Sequence, residues 1–349
     1  MNKLKNDLFL KACLKQKTER TPVWVMRQAG RYLPEYRAVR AKADFLTMCK
    51  TPELACEVTV QPVDLIGVDA AIIFSDILVI PEAMGMELIM EEGRGPVFPE
   101  PVRDSASAAK LKKVDPFKEL NYVMEALRQT KTALDGRVPL IGFTGSPWTL
   151  LTYMVEGKGS KTFSVIKNFI YNQPKLAHEL LTEISVVASA YLSAQIESGA
   201  DAVQIFDTWG GILSPRDYNE FSLPYIEMVI EGVKRKKHPV IVFSKGAHFA
   251  LKKLSKSGAD VVGLDWTMDI KKVRKEIGSR VALQGNLDPT LLYASPERIK
   301  EEVKAVLKAY GKGTGHVFNL GHGIHPDTDP ENLKAMVNFV KTESVKYHK

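Results

Sequence analysis

Apolar runs of strand length, most of them closed by Gly, Asp or Ser, recur along the whole chain. They occupy 22–30, 69–76, 139–145, 200–211, 239–246, 259–266, 281–288 and 316–323, eight in all. The runs are nearly continuous in apolar residues rather than alternating, the pattern of parallel strands covered on both faces. Between them lie segments of helical period at 52–66, 117–134, 174–198, 215–236, 248–257, 270–277, 296–310 and 330–347. The first of these opens on Thr51 as N-cap and Pro52 at the first helical position, with Glu53 and Glu57 in its early turns. Eight strands alternating with helices predict an α/β fold, a single (β/α)8 TIM barrel. A doubly wound sheet would carry fewer strands and a glycine fingerprint, and neither G-x-G-x-x-G after a run nor G-x-x-x-x-G-K-S/T occurs.

A faint internal repeat supports the barrel. The phrases IGVDAAIIF (66–74), SGADAVQIF (198–206) and SGADVVGLD (257–265) share Gly, a small residue, Asp and an apolar run. The Gly takes the left-handed position that stops a helix, and a strand begins after the Asp. Such joints lie at the N-terminal face of a barrel, so Asp69, Asp201 and Asp260 read as structural. Two intervals break the rhythm, 77–116 and 146–160, and predict enlarged βα loops after strands two and three. Long loops on that face are where sites are built. The expectation is one domain over 1–349, with 1–20 as an N-terminal helical extension.

Composition narrows the classes. With 45% of 349 residues hydrophobic, the chain can bury a large core, which excludes wholesale disorder. Charges interrupt the only apolar stretch near the N-terminus, so no signal-peptide core forms there, and no run reaches the roughly 18 apolar residues a spanning helix needs. Three cysteines, Cys13, Cys49 and Cys56, supply neither a disulfide framework nor a C-x-x-C pair, which fits a reducing cytoplasm. Lys plus Arg is 48 against 41 acids, a formal +7. That excess fits nucleic acid, an anionic membrane surface or an acidic small molecule, and the placement of the bases must decide.

In a barrel, the polar residues at the C-terminal ends of the strands form the candidate site. They are Arg27, Gln28 and Arg31 after the first run, Ser75 and Asp76 after the second, and Thr144 and Ser146 after the third. Asp207, Thr208, Lys245, Asp265, Gln284, Asn286, Asp288, Asn319 and His322 follow at the later ends. Arg27, Arg31, Arg37 and Arg40 fall within fourteen residues, interleaved with Tyr32 and Tyr36. Arginine offers a planar fork matched to carboxylate or phosphate, so such a cluster at a barrel mouth points to an anionic ligand with several groups to hold. Arg37 and Arg40 fit a basic surface helix equally well. Asp76 is a lone carboxylate in an apolar stretch and must meet cations or N–H donors. His316, His322 and His325 invite a metal reading, but no cysteine or second histidine stands at another strand end, so no metal site is expected. Lys245 is placed where a Schiff-base lysine could sit, although a surface or ion-pairing role fits it better.

These residues carry a resemblance to the uroporphyrinogen decarboxylase family, from about Thr21 to the last helix. The matching segments include PVWVMRQAGRYLPEYR, AAIIFSDILVIPEAMGM, PLIGFTGSPWTLLTYMVEG, VVGLDWT, LQGNLDP and NLGHGIHPDTDP, in the same order and at similar spacing. The resemblance implies a cofactor-free barrel, a homodimer, that converts the four acetate arms of uroporphyrinogen III to methyls and yields coproporphyrinogen III. It implies carboxylate contacts for Arg27, Arg31 and Arg40, and places Asp76 at the macrocycle centre, where it accepts hydrogen bonds from pyrrole N–H groups. Tyr153 and His322 match further site positions, and Thr208 stands where many members have serine. The implied catalytic set is Asp76, Arg27 and Tyr153, without metal. Nucleic acid and membrane are not expected partners, because the arginines concentrate at one strand end. The competing class is a corrinoid-linked zinc methyltransferase on a related barrel, which would need Cys and His ligands at strand ends.

Overall fold

The computed structural model describes residues 4–91 and 95–349. The predicted extension 1–20 and the interval 77–116 thus lie partly outside the described residues, at 1–3 and 92–94. In chain order the strands are β1 (Ala71–Ile72), β2 (Ile89–Glu91), β3 (Gly95–Val97), β4 (Leu140–Gly145), β5 (Ala202–Asp207), β6 (Val240–Ser244), β7 (Val261–Gly263), β8 (Ala282–Gln284) and β9 (His316–Val317). Seven of them form one parallel sheet in the order β1-β4-β5-β6-β7-β8-β9, and β2 pairs antiparallel with β3. Every strand of the large sheet falls inside a predicted apolar run, and their residues are buried, as strands covered on both faces require.

The first predicted run, 22–30, differs. Only Val23 makes a bridge, parallel to Phe318. Phe318 N donates to Pro22 O at 2.9 Å on one side, and Asp69 N donates to Val23 O at 2.7 Å on the other. The segment therefore bonds toward both edges of the sheet. Beyond it the ladder ends because side-chain amides replace strand carbonyls. Val25 N donates to Gln28 Oε1 at 3.2 Å and Met26 N to Asn319 Oδ1 at 3.1 Å. Arg27 follows with φ of 65°, a left-handed conformation that costs a non-glycine residue about 1 kcal/mol or more.

The three Gly-x-Asp joints share one geometry. Gly67, Gly199 and Gly258 have φ of 77°, 120° and 90°. Each Asp then clamps the first residue of the preceding strand segment from both sides: its N–H donates to that residue's carbonyl and its carboxylate accepts the same residue's N–H. The pairs are Asp69 with Val23, Asp201 with Leu140 and Asp260 with Val240. A basic side chain neutralises each clamp: Arg20, Lys131 and Arg235 respectively.

Helices cover the sheet. Pro52–Leu65 and Pro174–Glu197 open with Pro at the first helical position, as the sequence predicts. The predicted 215–236 helix is two, Pro215–Phe221 and Leu223–Gly232, because Pro224 has no N–H to continue the ladder. The interval 146–160, expected as loop, is mostly the helix Pro147–Glu156. Ser146 caps it by accepting from Thr149 N, Pro147 starts it, and Gly157 at φ 77° ends it. Within 77–116 lie the helices Val79–Ala83 and Ser105–Ala108 and the β2–β3 pair. No helix among the described residues is long and apolar enough to cross a membrane.

His316 opens β9, away from His322, and is buried between Tyr310, stacked at 4.2 Å, and Gly285 O, 3.0 Å from Nε2. A carbonyl partner requires Nε2 to carry the proton. Burial drags the imidazole pKa down to about 4 from an ordinary 6.5. The unfolded chain takes up this proton near pH 6.5 and the folded chain resists it until about pH 4, so stability is highest above 6.5 and falls as pH drops through that window. His316→Gln is expected to remove on the order of 2–3 kcal/mol of that pH-dependent loss, read as a flatter dependence of thermal midpoint on pH between the two values.

Candidate active site

β1 is only two residues long, and that shortness shapes the site. Beyond Ile73, whose N–H still reaches Ile141 O at 3.0 Å, the chain leaves the sheet and β4 loses its neighbour. Gln195, from the helix Pro174–Glu197, takes over, accepting from Phe143 N at 2.7 Å and donating to Phe143 O at 2.9 Å. Its side chain completes the ladder in place of a strand. The freed segment carries Asp76 into the cleft, where its Oδ1 accepts Leu78 N–H at 2.7 Å. Asp76 is partly accessible but closely surrounded, and this enclosure raises its pKa above the usual carboxylate range; the Leu78 N–H and Arg27 oppose the rise, and Glu82 adds to it.

Arg27 stands against the GHG turn. A Cβ on Gly323 would collide with Arg27 Cδ and Cγ, so glycine is required for the guanidinium stem to lie there. Ile324 N donates to Met26 O at 3.0 Å and ties the two segments together. Arg27 is exposed and has no hydrogen-bond or ion-pair partner among the described residues. Its charge nevertheless reaches Asp76, Tyr153 and His322, lowering the pKa of all three.

Tyr153 projects from the helix Pro147–Glu156 and packs 6.1 Å from Trp209. Burial raises its phenol pKa, Asp76 raises it further, and Trp209 and Arg27 oppose. His322 sits between Gly321 and Gly323, 6.2 Å from the ring of Phe243 and 6.4 Å from Trp266. Burial, then the charges of Arg27 and Lys245, hold its pKa near 4, so it is a neutral imidazole at neutral pH. Thr208 follows β5, half-buried, its hydroxyl without a partner among the described residues.

The structure thus brings Arg27, Asp76, Tyr153 and His322 into one electrostatic group. Arg31 and Arg40 are exposed farther along, where their charges act on Tyr36. Arg40 donates to Ala43 O at 2.8 Å, and Arg37 ties down Arg31 O and Tyr32 O. Several other strand-end residues are consumed by scaffolding. Gln28 bonds Val25 N and Ala70 O, Asn286 bonds Asp265 O and Met268 O, and Asn319 accepts from Met26 N. Asp207 is fully buried and accepts from the hydroxyls of Ser146, Ser244, Ser222 and Thr149 at 2.6, 2.7, 3.2 and 3.4 Å. Through Ser146 it fixes the start of the helix that bears Tyr153, and through Thr149, which accepts from Trp209 N, the turn that bears Thr208.

An aromatic layer beneath this group is missing from the predicted set. Phe143, Phe206 and Phe243 meet edge to face at 5.6 and 6.3 Å across β4, β5 and β6. Below them Trp24 Nε1 donates to Gln284 Oε1 at 2.9 Å and Gln284 Nε2 to Gln204 Oε1 at 3.2 Å. The signal was present in the strand period: Phe206 and Phe243 each stand two residues before a polar strand end, Thr208 and Lys245, and so point to the same face. An aromatic floor topped by one enclosed acid, a neutral imidazole and exposed cations suits a flat, apolar ring system bearing anionic arms.

The histidines do not gather: His316 and His322 lie apart, and among the described residues no group of three His, Cys, Asp or Glu is placed to hold a metal ion. Cys13, Cys49 and Cys56 lie in the helices Leu8–Cys13, Phe45–Lys50 and Pro52–Leu65, none at a strand end.

The family model described as uroporphyrinogen decarboxylase (URO-D) matches residues 4–343. The chain is 56% identical to the uroporphyrinogen decarboxylase of Hydrogenovibrio crunogenus, with the whole of both chains covered. It is 60% identical to that of Chloroherpeton thalassium, covering 99% of each chain. Among solved structures it is similar to a methyltransferase from Methanosarcina mazei, with a TM-score of 0.78, 22% identity and coverage of 97% of this chain and 98% of the other. At that identity the likeness speaks for the shared fold alone. With residues 4–343 matched by the family model and nearly the whole length by relatives at 56% and 60% identity, the chain belongs to the uroporphyrinogen decarboxylase family.

Proposed function

We propose that the chain removes CO2 from the four acetate arms of uroporphyrinogen III and releases coproporphyrinogen III, in tetrapyrrole biosynthesis. The observation that carries this reading is the enclosed carboxylate of Asp76 beside Arg27 above the aromatic floor. The substrate is a ring of pyrroles with N–H groups directed inward and carboxylates outward, so one central acceptor and peripheral cations match it. Arg27, Arg31 and Arg40 take carboxylate arms, and Thr208 and His322 offer neutral polar contacts.

The chemistry needs an electron sink, which a cofactor commonly supplies. A pyrrole supplies its own. Protonation of the ring α-carbon next to the one that bears the acetate gives an iminium-like cation conjugated with the acetate-bearing carbon. The C–CO2 bond then breaks, its electron pair forms an exocyclic methylene and neutralises the ring, a second proton converts the methylene to methyl, and loss of the first proton from the ring carbon restores the aromatic pyrrole. Asp76 accepts the pyrrole N–H and stabilises the cation as it forms, an interaction worth most in an enclosed site. A guanidinium is a poor acid, so the first proton comes from Tyr153 or from a water held by Arg27. Tyr153→Phe assigns it: a tenfold or greater fall in kcat with a changed solvent isotope effect is expected for the phenol, and an unchanged effect assigns the water.

The working form we propose is a single closed (β/α)8 barrel domain with 77–116 and 146–160 walling the cleft, homodimeric and cytoplasmic. The bonds from residues 22–24 to both sheet edges support closure. Zinc-dependent methyl transfer on this fold is not favoured, because the cysteines stand away from the strand ends. The test is anaerobic incubation of the protein with uroporphyrinogen III and chromatography of the oxidised products. Hepta- to tetracarboxyl porphyrins are expected, and recovery of the octacarboxyl species alone would overturn the reading.

A further inference from the structure

Lys245 follows β6 and lies two residues beyond Phe243, on the face of the strand that carries the aromatic floor. It is half-buried, its Nζ 5.8 Å from the ring centre of Trp266, and its charge is felt by His322. Trp266 and His322 are themselves 6.4 Å apart, so the three side chains form one cluster on the β6, β7 and β9 side of the mouth. Arg27 acts on the same imidazole. The Lys245 ammonium has no hydrogen bond or ion pair with any described residue.

The acid that follows β7 does not neutralise it. Asp265 is buried at the end of the neighbouring strand, and its oxygens are taken by Gly246 N at 2.7 Å, Thr267 N at 2.9 Å and the Thr267 hydroxyl. His248 lies 3.7 Å from the same carboxylate. A half-buried ammonium with no anion is a poor use of charge in a scaffold, since desolvation is incurred without a compensating pair. It becomes favourable when an anionic ligand arrives.

Resting on the functional reading above, we propose that Lys245 is a second carboxylate-binding pole. It takes a carboxylate arm of the macrocycle at the β6 side of the mouth, with the neutral ring of His322 between it and Arg27. A substrate with carboxylates all round its rim then meets cations on two sides of the floor. This fixes the ring in its plane over Asp76, which no single arginine cluster could do. An ammonium on a flexible stem suits this task, because successive rings present arms of different length there.

The proposal separates binding from chemistry. Lys245→Met keeps the stem and removes the charge. Since the ammonium is unbonded in the free protein, the fold and thermal midpoint are expected to stay as they are. With uroporphyrinogen III as substrate, KM is expected to rise about tenfold with kcat within about threefold, and Lys245→Arg to restore KM to within about threefold. The rise of KM with added salt should be shallower in Lys245→Met than in the wild type, since one screened contact is gone. A KM within twofold of wild type, or a collapse of kcat at unchanged KM, would overturn the proposal. If Lys245→Met were to lose its fold, Lys245→Gln at matched thermal midpoint gives the same comparison. Activity of the wild type on uroporphyrinogen with an indifferent Lys245 overturns this pole alone, whereas an inactive wild type overturns the functional reading beneath it.

Discussion

Asp76→Asn is expected to lower kcat by about two to three orders of magnitude while KM for uroporphyrinogen stays within a few-fold. The amide preserves the shape and can still accept the Leu78 N–H through its oxygen, so the turn after β1 should survive. What it loses is the negative charge, and the ground-state pyrrole is neutral. The missing interaction is therefore one made only as the ring becomes cationic, which lowers kcat rather than affinity. The same argument fixes a pH dependence. Enclosure raises the pKa of Asp76, and its ionised form is the active one, so kcat/KM should fall on the acid side at a pH above the ordinary carboxylate range. In Asp76→Asn that acid limb should disappear from the residual activity. A variant that kept kcat within a few-fold of wild type would remove Asp76 from the chemistry.

The largest expected effect on stability falls at the opposite face. Asp69 is buried and accepts from the two terminal Arg20 nitrogens at 2.7 Å, from Val23 N at 2.9 Å and from Asn6 Nδ2 at 2.8 Å. Asp69→Ala leaves the partly buried Arg20 unpaired and Val23 N without its acceptor, a loss of about 3–5 kcal/mol. Asp201 and Asp260 repeat the clamp but are themselves more exposed than Asp69, so their alanine variants should cost less. Urea unfolding of the three variants checks the order. Equal midpoints for all three would show that the joint with Val23, where the segment meets both sheet edges, has no special weight.

Much of this architecture was legible before any coordinates. The three Gly-x-Asp joints announce their role because a glycine that ends a helix and an acid that starts a strand are local requirements, met within a few residues. Asp76 was legible for a similar reason, as one acid in an apolar run that must be compensated. The first apolar run is not a full strand because its ladder is cut short by Gln28 and Asn319, and the second of these lies almost three hundred residues away in sequence. The helix Pro147–Glu156 is hard to see in the sequence although Ser146 and Pro147 mark its start. It is buried nearly all round and so lacks the polar face that makes a helix visible as a period. The aromatic floor is only half legible: the strand period puts Phe206 and Phe243 on the face of the polar strand ends, but the register between strands is needed to bring Phe143 into the same layer. Among the arginines, sequence proximity overstated unity: Arg27 joins Asp76 and His322, whereas Arg37 holds the local turn.

The central claim is that an electron-rich macrocycle supplies its own electron sink while Asp76 stabilises the cation. The most direct measurement counts CO2 released under argon by chelator-dialysed protein from uroporphyrinogen III and, in parallel, from the oxidised uroporphyrin III, which has the same carboxylates but no isolated pyrrole to protonate. The expected result is four equivalents of CO2 from the reduced macrocycle and none from the oxidised one. Release from both, from neither, or from the reduced macrocycle only after a metal or cofactor is restored would contradict the account.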